Sequence, residues 1–179
     1  MATVHEIEQR LFSWAPRESA MDWDNVGHLV GDPEQEVEHI LVALDITERV
    51  VQEAIDCGAQ LIVSHHPVMN VRWHEREMQT LRPDTRLGGV LTTLVKNDIS
   101  AICIHTNLDA ADGGVNDCLA KKLGLNDIFL LNDEKIGRIG TLSCEKGLEE
   151  FLRDVIELLG CGGLRYCLSL IHISEPTRH

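Results

Sequence analysis

Three short apolar runs, His39-Ile-Leu-Val-Ala-Leu44, Gln60-Leu-Ile-Val-Ser64 and Ile99-Ser-Ala-Ile-Cys-Ile104, are each followed by a stretch of helical character. After the first, Thr47 can cap a helix running to Cys57, where Gly58 supplies a left-handed stop. The second is followed by a helical stretch over 87–97 and the third by one over 116–123 that ends at Gly124. Strands apolar along their whole length suit a parallel sheet covered on both sides. The expected class is therefore α/β, a mostly parallel sheet with helices on both faces. Upstream, Thr3 and Glu6 have capping-box spacing, and Val4, Ile7, Leu11 and Trp14 share one helical face before Pro16 closes it. Downstream, 128–131 and 138–143 read as strands, and Leu148, Leu152, Val155, Ile156 and Leu159 as an amphipathic helix. The 179 residues show no internal repeat or low-complexity linker, and residues 1–167 read as one domain.

Charge narrows the functions open to such a fold. Sixteen Lys and Arg against 29 Asp and Glu give a net charge of −13, which repels phosphate backbones and anionic lipid. Aromatic residues are only 4% of the chain and Tyr166 is the sole tyrosine, so bases would find few stacking platforms. Nucleic-acid binding is disfavoured. The six cysteines contain no CxxC pair, which argues against a zinc ribbon and fits buried thiols in a reducing compartment. Glu6, Glu8 and Arg10 interrupt what a signal peptide would need to be apolar, and no window approaches the roughly 18 apolar residues of a membrane span. A cytoplasmic protein without a membrane partner is expected.

Ligands of open parallel sheets bind beyond the carboxyl ends of the strands. Two segments leave there: His65-His66-Pro67 after the second run, and His105-Thr-Asn-Leu-Asp109 after the third. Paired strands lie about 4.8 Å apart, so imidazoles from both loops and the Asp109 carboxylate can converge on one site. Imidazole and carboxylate together suit zinc, ferrous iron or similar divalent metals. His65 and His66, adjacent on an extended backbone, are expected to project differently, which suits two metal ions. His5, His28, His39 and His74 read as ordinary hydrogen-bonded histidines. Asp112-Gly113-Gly114-Val-Asn116 opens a helix and reads either as an anion-binding turn or as a tight loop. Trp23-Asp24-Asn25-Val-Gly27, followed by Gly31-Asp32-Pro33, reads as a polar loop with special backbone needs.

Taken together and in order, Trp23-Asp-Asn-Val-Gly27 with Leu29 and Gly31, Val42-Ala-Leu-Asp45, Ser64-His-His-Pro67, His105-Thr-Asn-Leu-Asp109 and Gly113-Gly-Val-Asn116 are specific. Over residues 1–167 they resemble the dinuclear metal-centre family named after NGG-one-interacting factor three, whose members are labelled GTP cyclohydrolase I type 2 homologues. The resemblance implies two divalent metals per full-length subunit (zinc, iron or manganese), a homohexameric ring and a cytoplasmic protein. It places metal ligands on His65, His66 and Asp109, and His105 at the same site as a further ligand or as a catalytic proton shuttle. The family completes its site with a histidine and a glutamate four apart on a C-terminal helix, and this chain has no such pair. Residues 168–179 resemble the translation of a transposon-end sequencing adapter, so His172 and Glu175 are not recruited as ligands. The expectation is a C-terminally truncated metalloprotein with weak or single-metal occupancy. Its function would be metal-dependent hydrolysis of an unknown small molecule, with metal or metallocofactor delivery as the alternative and a regulatory or nucleic-acid-associated ring third.

Overall fold

The computed structural model describes residues 1–69 and 80–166. In chain order the elements are β1 (Ala2–Thr3), α1 (Val4–Trp14), a 3-10 turn (Arg17–Ser19), β2 (Gly27–Val30), β3 (Glu36–Val37), β4 (Ile40–Ala43), α2 (Glu48–Asp56) and β5 (Leu61–Ser64). They continue with α3 (Arg86–Lys96), β6 (Ser100–Cys103), α4 (Thr106–Ala110), α5 (Val115–Lys122), β7 (Asn126–Leu130), β8 (Arg138–Thr141) and α6 (Leu148–Leu159). His74, Cys167 and residues 168–179 lie outside the described residues.

Local signals set the helix ends. The Thr3 side chain accepts from the Glu6 amide while the Glu6 carboxylate accepts from the Thr3 amide, completing the capping box of α1. The Thr47 side chain caps α2 by accepting from the Val50 amide, and Gly58, at φ 66°, supplies the left-handed stop that its missing Cβ permits.

The chain forms two compact units. The first, Met1–Cys118 with Leu130–Arg138, is built on a four-stranded sheet in the order β2-β6-β5-β4. The strands β4, β5 and β6 are parallel, as the apolar runs predict. On one face α2 and α3 bury Val51, Ala54, Val90 and Leu94 against Ile62 and Ala101. On the other, Val4 of α1 closes over Leu61, Val63 and Ile102, with Ile7, Leu11 and Phe12 packed around it. Helices thus cover both faces, and each fully buried Leu or Ile contributes about 1.5–3 kcal/mol. The second unit, Leu119–Phe129 with the described residues from Ile139 onward, contains α6, which ends at Gly160. Strands β7 and β8 pair with each other.

Three expectations need correction. Gly27, read as part of a polar loop, begins the strand Gly27–Val30, which runs antiparallel to β6; with β4, β5 and β6 parallel, the sheet stays mostly parallel as expected. β4 is not covered on both faces: it is an edge strand whose Val42 is 76% exposed, with Ile40 and Leu44 also exposed, while Leu41 packs toward α2 and α3. The segment after His105 is not a loop but the short helix α4.

Candidate metal centre

The register of β5 and β6 pairs Ser64 with Cys103, so both strands deliver their following residues to the same edge of the sheet. There the main chain is held from several sides. The amides of His65 and His66 donate to the carbonyls of Ala43 and Leu44 at 3.2 and 2.9 Å, prolonging the ladder with β4. The Ser64 hydroxyl donates to the His66 carbonyl at 2.8 Å and the Cys103 thiol to the His65 carbonyl at 3.1 Å. Burial, then the nearby Asp24 charge, pushes the Cys103 thiol far above its ordinary range, so it stays a neutral donor. His105 sits at the start of α4, its amide donating to Asn107 Oδ1 at 2.9 Å. Asn107 is fully buried and its amide nitrogen donates to the Ala15 carbonyl at 2.8 Å, tying the turn to the end of α1.

This scaffold brings His65, His66 and His105 together. Their ring centroids are 4.9–5.3 Å apart, and one nitrogen of each lies within 4.8 Å of those of the others. His65 and His66 therefore do not diverge, as adjacency on an extended strand predicts; both rings meet His105 in one cluster. Each ring has its Nδ1 engaged: His65 with the Ile104 carbonyl at 3.2 Å, His66 with Asp45 Oδ1 at 2.8 Å and His105 with Asp24 Oδ1 at 2.9 Å. Carbonyl and carboxylate oxygens only accept, so Nδ1 carries the proton and Nε2 is the bare nitrogen of each neutral ring. Asp109, on α4, places Oδ1 3.9 Å from His65 Nε2. The sequence-predicted set of His65, His66, His105 and Asp109 is thus gathered at one sheet edge.

At His65 the surroundings favour the neutral ring. Burial lowers the pKa of His65; Asp109 opposes this, and His105 and His66 reinforce it. Asp109 is raised, first by burial, with His65 and His105 pulling it back. Three carboxylates, Asp24, Asp45 and Asp109, surround the three rings, a field that favours a divalent cation.

Asp24 and Asp45 are the contributors that residue-by-residue reading missed. Both stand in the quoted motifs, Trp23-Asp-Asn-Val-Gly27 and Val42-Ala-Leu-Asp45, but nothing local shows which histidine each would meet, 81 and 21 positions away. The Asp24 side chain is 0% exposed. Besides His105 it accepts from the Thr106 amide at 3.0 Å, from the Thr106 hydroxyl and from the Asn25 amide at 2.8 Å. Burial pushes its pKa up, but the hydrogen bonds from His105, Thr106 and Asn25 prevail and hold it at about 2.

The glycine-rich turn resolves toward the tight-loop reading. A Cβ on Gly114 would stand 1.9 Å from the Leu108 carbonyl oxygen, and the Gly113 amide is already given to Asp117 Oδ2 at 2.6 Å. Asp117 in turn pairs with the nearly buried Arg138. Among the background histidines, His5 pairs with Gln9 and His28 with the Val30 carbonyl, each at 2.8 Å. The five described cysteines are free. No helix among the described residues is long and apolar enough to cross a membrane.

Comparison with known proteins finds relatives over most of the chain. A GTP cyclohydrolase 1 type 2 homolog from Clostridium perfringens is 39% identical over 158 residues, covering 85% of this chain and 58% of its own length. The chain thus spans somewhat over half of that relative. The crystal structure of a Staphylococcus aureus hypothetical protein, SA1388, superposes with a TM-score of 0.80 at 28% identity over 91% of this chain and 66% of that one. A Bacillus cereus protein related to NIF3 superposes with a TM-score of 0.67 at 39% identity over 73% of this chain and 35% of that one. The model of one protein family matches residues 2–173, nearly the whole chain. With its mixed α/β sheet and its histidines gathered at one edge, the chain belongs to the Duf34/NIF3 (NGG1p interacting factor 3) family.

Proposed function

We propose that the protein binds divalent metal at the carboxyl ends of β5 and β6 and uses it in hydrolysis of a small molecule. The observation that carries this reading is the set of three imidazoles, each with Nδ1 held by an acceptor and Nε2 left bare. The donor chemistry fits: neutral imidazole and carboxylate together suit zinc, iron or manganese. His65, His66 and Asp109 would hold metal, and His105 would either complete the set or move a proton at Nε2. The family resemblance implies two ions per subunit and a homohexameric ring, which a metal count and sedimentation would test. A reducing cytoplasmic setting is part of the same reading, supported by the free thiols.

Bound divalent ions at such a site supply an acidified water and Lewis-acid polarisation of a phosphate or ring substrate. The protein's own part is positional. The ladder with β4 fixes His65 and His66, Asn107 fixes the turn that carries His105, and α4 presents Asp109 alongside. The net charge of −13 disfavours nucleic acid as substrate.

The test is a metal count by plasma mass spectrometry on purified protein, with turnover assays on GTP and simple phosphodiesters. Metal in stoichiometric ratio together with turnover supports the hydrolase. Metal without turnover favours metal or metallocofactor delivery, and protein that takes up no zinc, iron or manganese overturns the site.

A further inference from the structure

We propose that Asp24 is the positioning residue of the site: it holds His105 with the proton on Nδ1, so that the bare Nε2 is presented to the His65 and His66 side. This rests on the metal-site reading above for its purpose, though not for its geometry. The Asp24 carboxylate is wholly shielded from water, whereas Asp45, which engages His66, is 55% exposed. A buried carboxylate left without donors is strongly disfavoured, and Asp24 is saturated. Oδ1 accepts from the His105 ring and the Asn25 amide, and Oδ2 from the amide and hydroxyl of Thr106.

The hydroxyl geometry fixes the direction of this network. Thr106 Oγ1 accepts from the Met21 amide at 2.9 Å, so its proton points to Asp24. Every donor around Asp24 is therefore assigned, and the one left for His105 to supply is Nδ1–H. The Asp24 main chain is anchored as well, its amide donating to the Met21 carbonyl at 2.9 Å. Trp23 meets the His105 ring edge-on at 6.1 Å between centroids, restricting its rotation. Backbone, carboxylate and indole thus set one ring orientation and one tautomer. Such carboxylate–histidine pairs raise ligand basicity, and their loss weakens metal binding by about 10- to 100-fold. Asp45 makes the same contact to His66 in water and constrains it less.

The test uses the whole chain, metal-free, with nitrogen-15-labelled histidine at mildly alkaline pH, read by two-bond proton–nitrogen correlation, followed by zinc titration. In the wild type His105 is expected as the Nδ1–H tautomer. In Asp24→Asn it becomes a mixture, and zinc affinity falls about 10- to 100-fold. Asp45→Asn is expected to lower it by a smaller factor. Thr106→Val removes one donor to Asp24 and keeps the carboxylate, so the tautomer should persist. A wild-type His105 protonated on Nε2, or an Asp24→Asn protein with unchanged tautomer and zinc affinity, overturns the proposal. If Asp24→Asn does not fold, the wild-type and Thr106→Val spectra still decide it. A wild type that binds no zinc, iron or manganese yet shows the Nδ1–H tautomer defeats the metal reading and leaves the positioning role standing.

Discussion

The first unit and the second differ in how much of their apolar surface they hide. In the first, Leu61, Ile62, Leu94 and Ile102 are at 0% exposure, and the main chain that follows β5 and β6 is held by several hydrogen bonds. In the second, Ala120 and Val155 are the buried apolar residues among those described, while Phe129 is 66% and Tyr166 61% exposed. Side chains that orient an imidazole must not themselves move, so a precise site belongs where packing is dense. The difference locates rigidity at the sheet edge and leaves the second unit with little core of its own.

Truncation in each unit should give the largest contrast. Leu94→Ala, in the packed face between α3 and the sheet, is expected to cost about 2–5 kcal/mol in denaturant unfolding. A cost below about 1 kcal/mol there would erase the distinction. Next comes acid. The Asp24 carboxyl is held at about 2 against an ordinary 3.8, so its folded pKa is depressed. Its contribution of about 2 kcal/mol is present above pH 3.8 and is lost as pH falls through 2. Unfolding measured from pH 5 downward should therefore fall more steeply for the wild type than for Asp24→Asn, and parallel curves would remove Asp24 from the account. Smaller still is Leu158→Ala, on the exposed side of α6, expected to shift stability by no more than about 0.5 kcal/mol. Amide hydrogen exchange sharpens the same point: β5 and β6 should exchange near the global limit and α6 well before it.

Much of the first unit was legible because its signals are local. Continuous apolar runs marked β4, β5 and β6, Thr3 and Thr47 marked two helix starts, and the histidines stand directly after the strands whose ends build sites. What escaped depends on partners far away in the chain. Gly27–Val30 becomes a strand only because β6, some 70 residues later, offers it an antiparallel edge, and β1 and β3 are two residues each. The exposure of β4 follows from its place at the sheet edge, which periodicity does not encode. The roles of Asp24 and Asp45 were hidden for the same reason. An aspartate in a polar loop looks alike whether it faces water or a ring 81 positions on.

On the proposed function, His65, His66, His105 and Asp109 together hold divalent metal. The most direct test compares metal content of the wild type with that of the double variant His65→Ala, Asp109→Ala, both folded by circular dichroism and exposed to zinc, iron and manganese in turn. Metal is expected on the wild type and lost from the double variant. Equal metal on both proteins would contradict this.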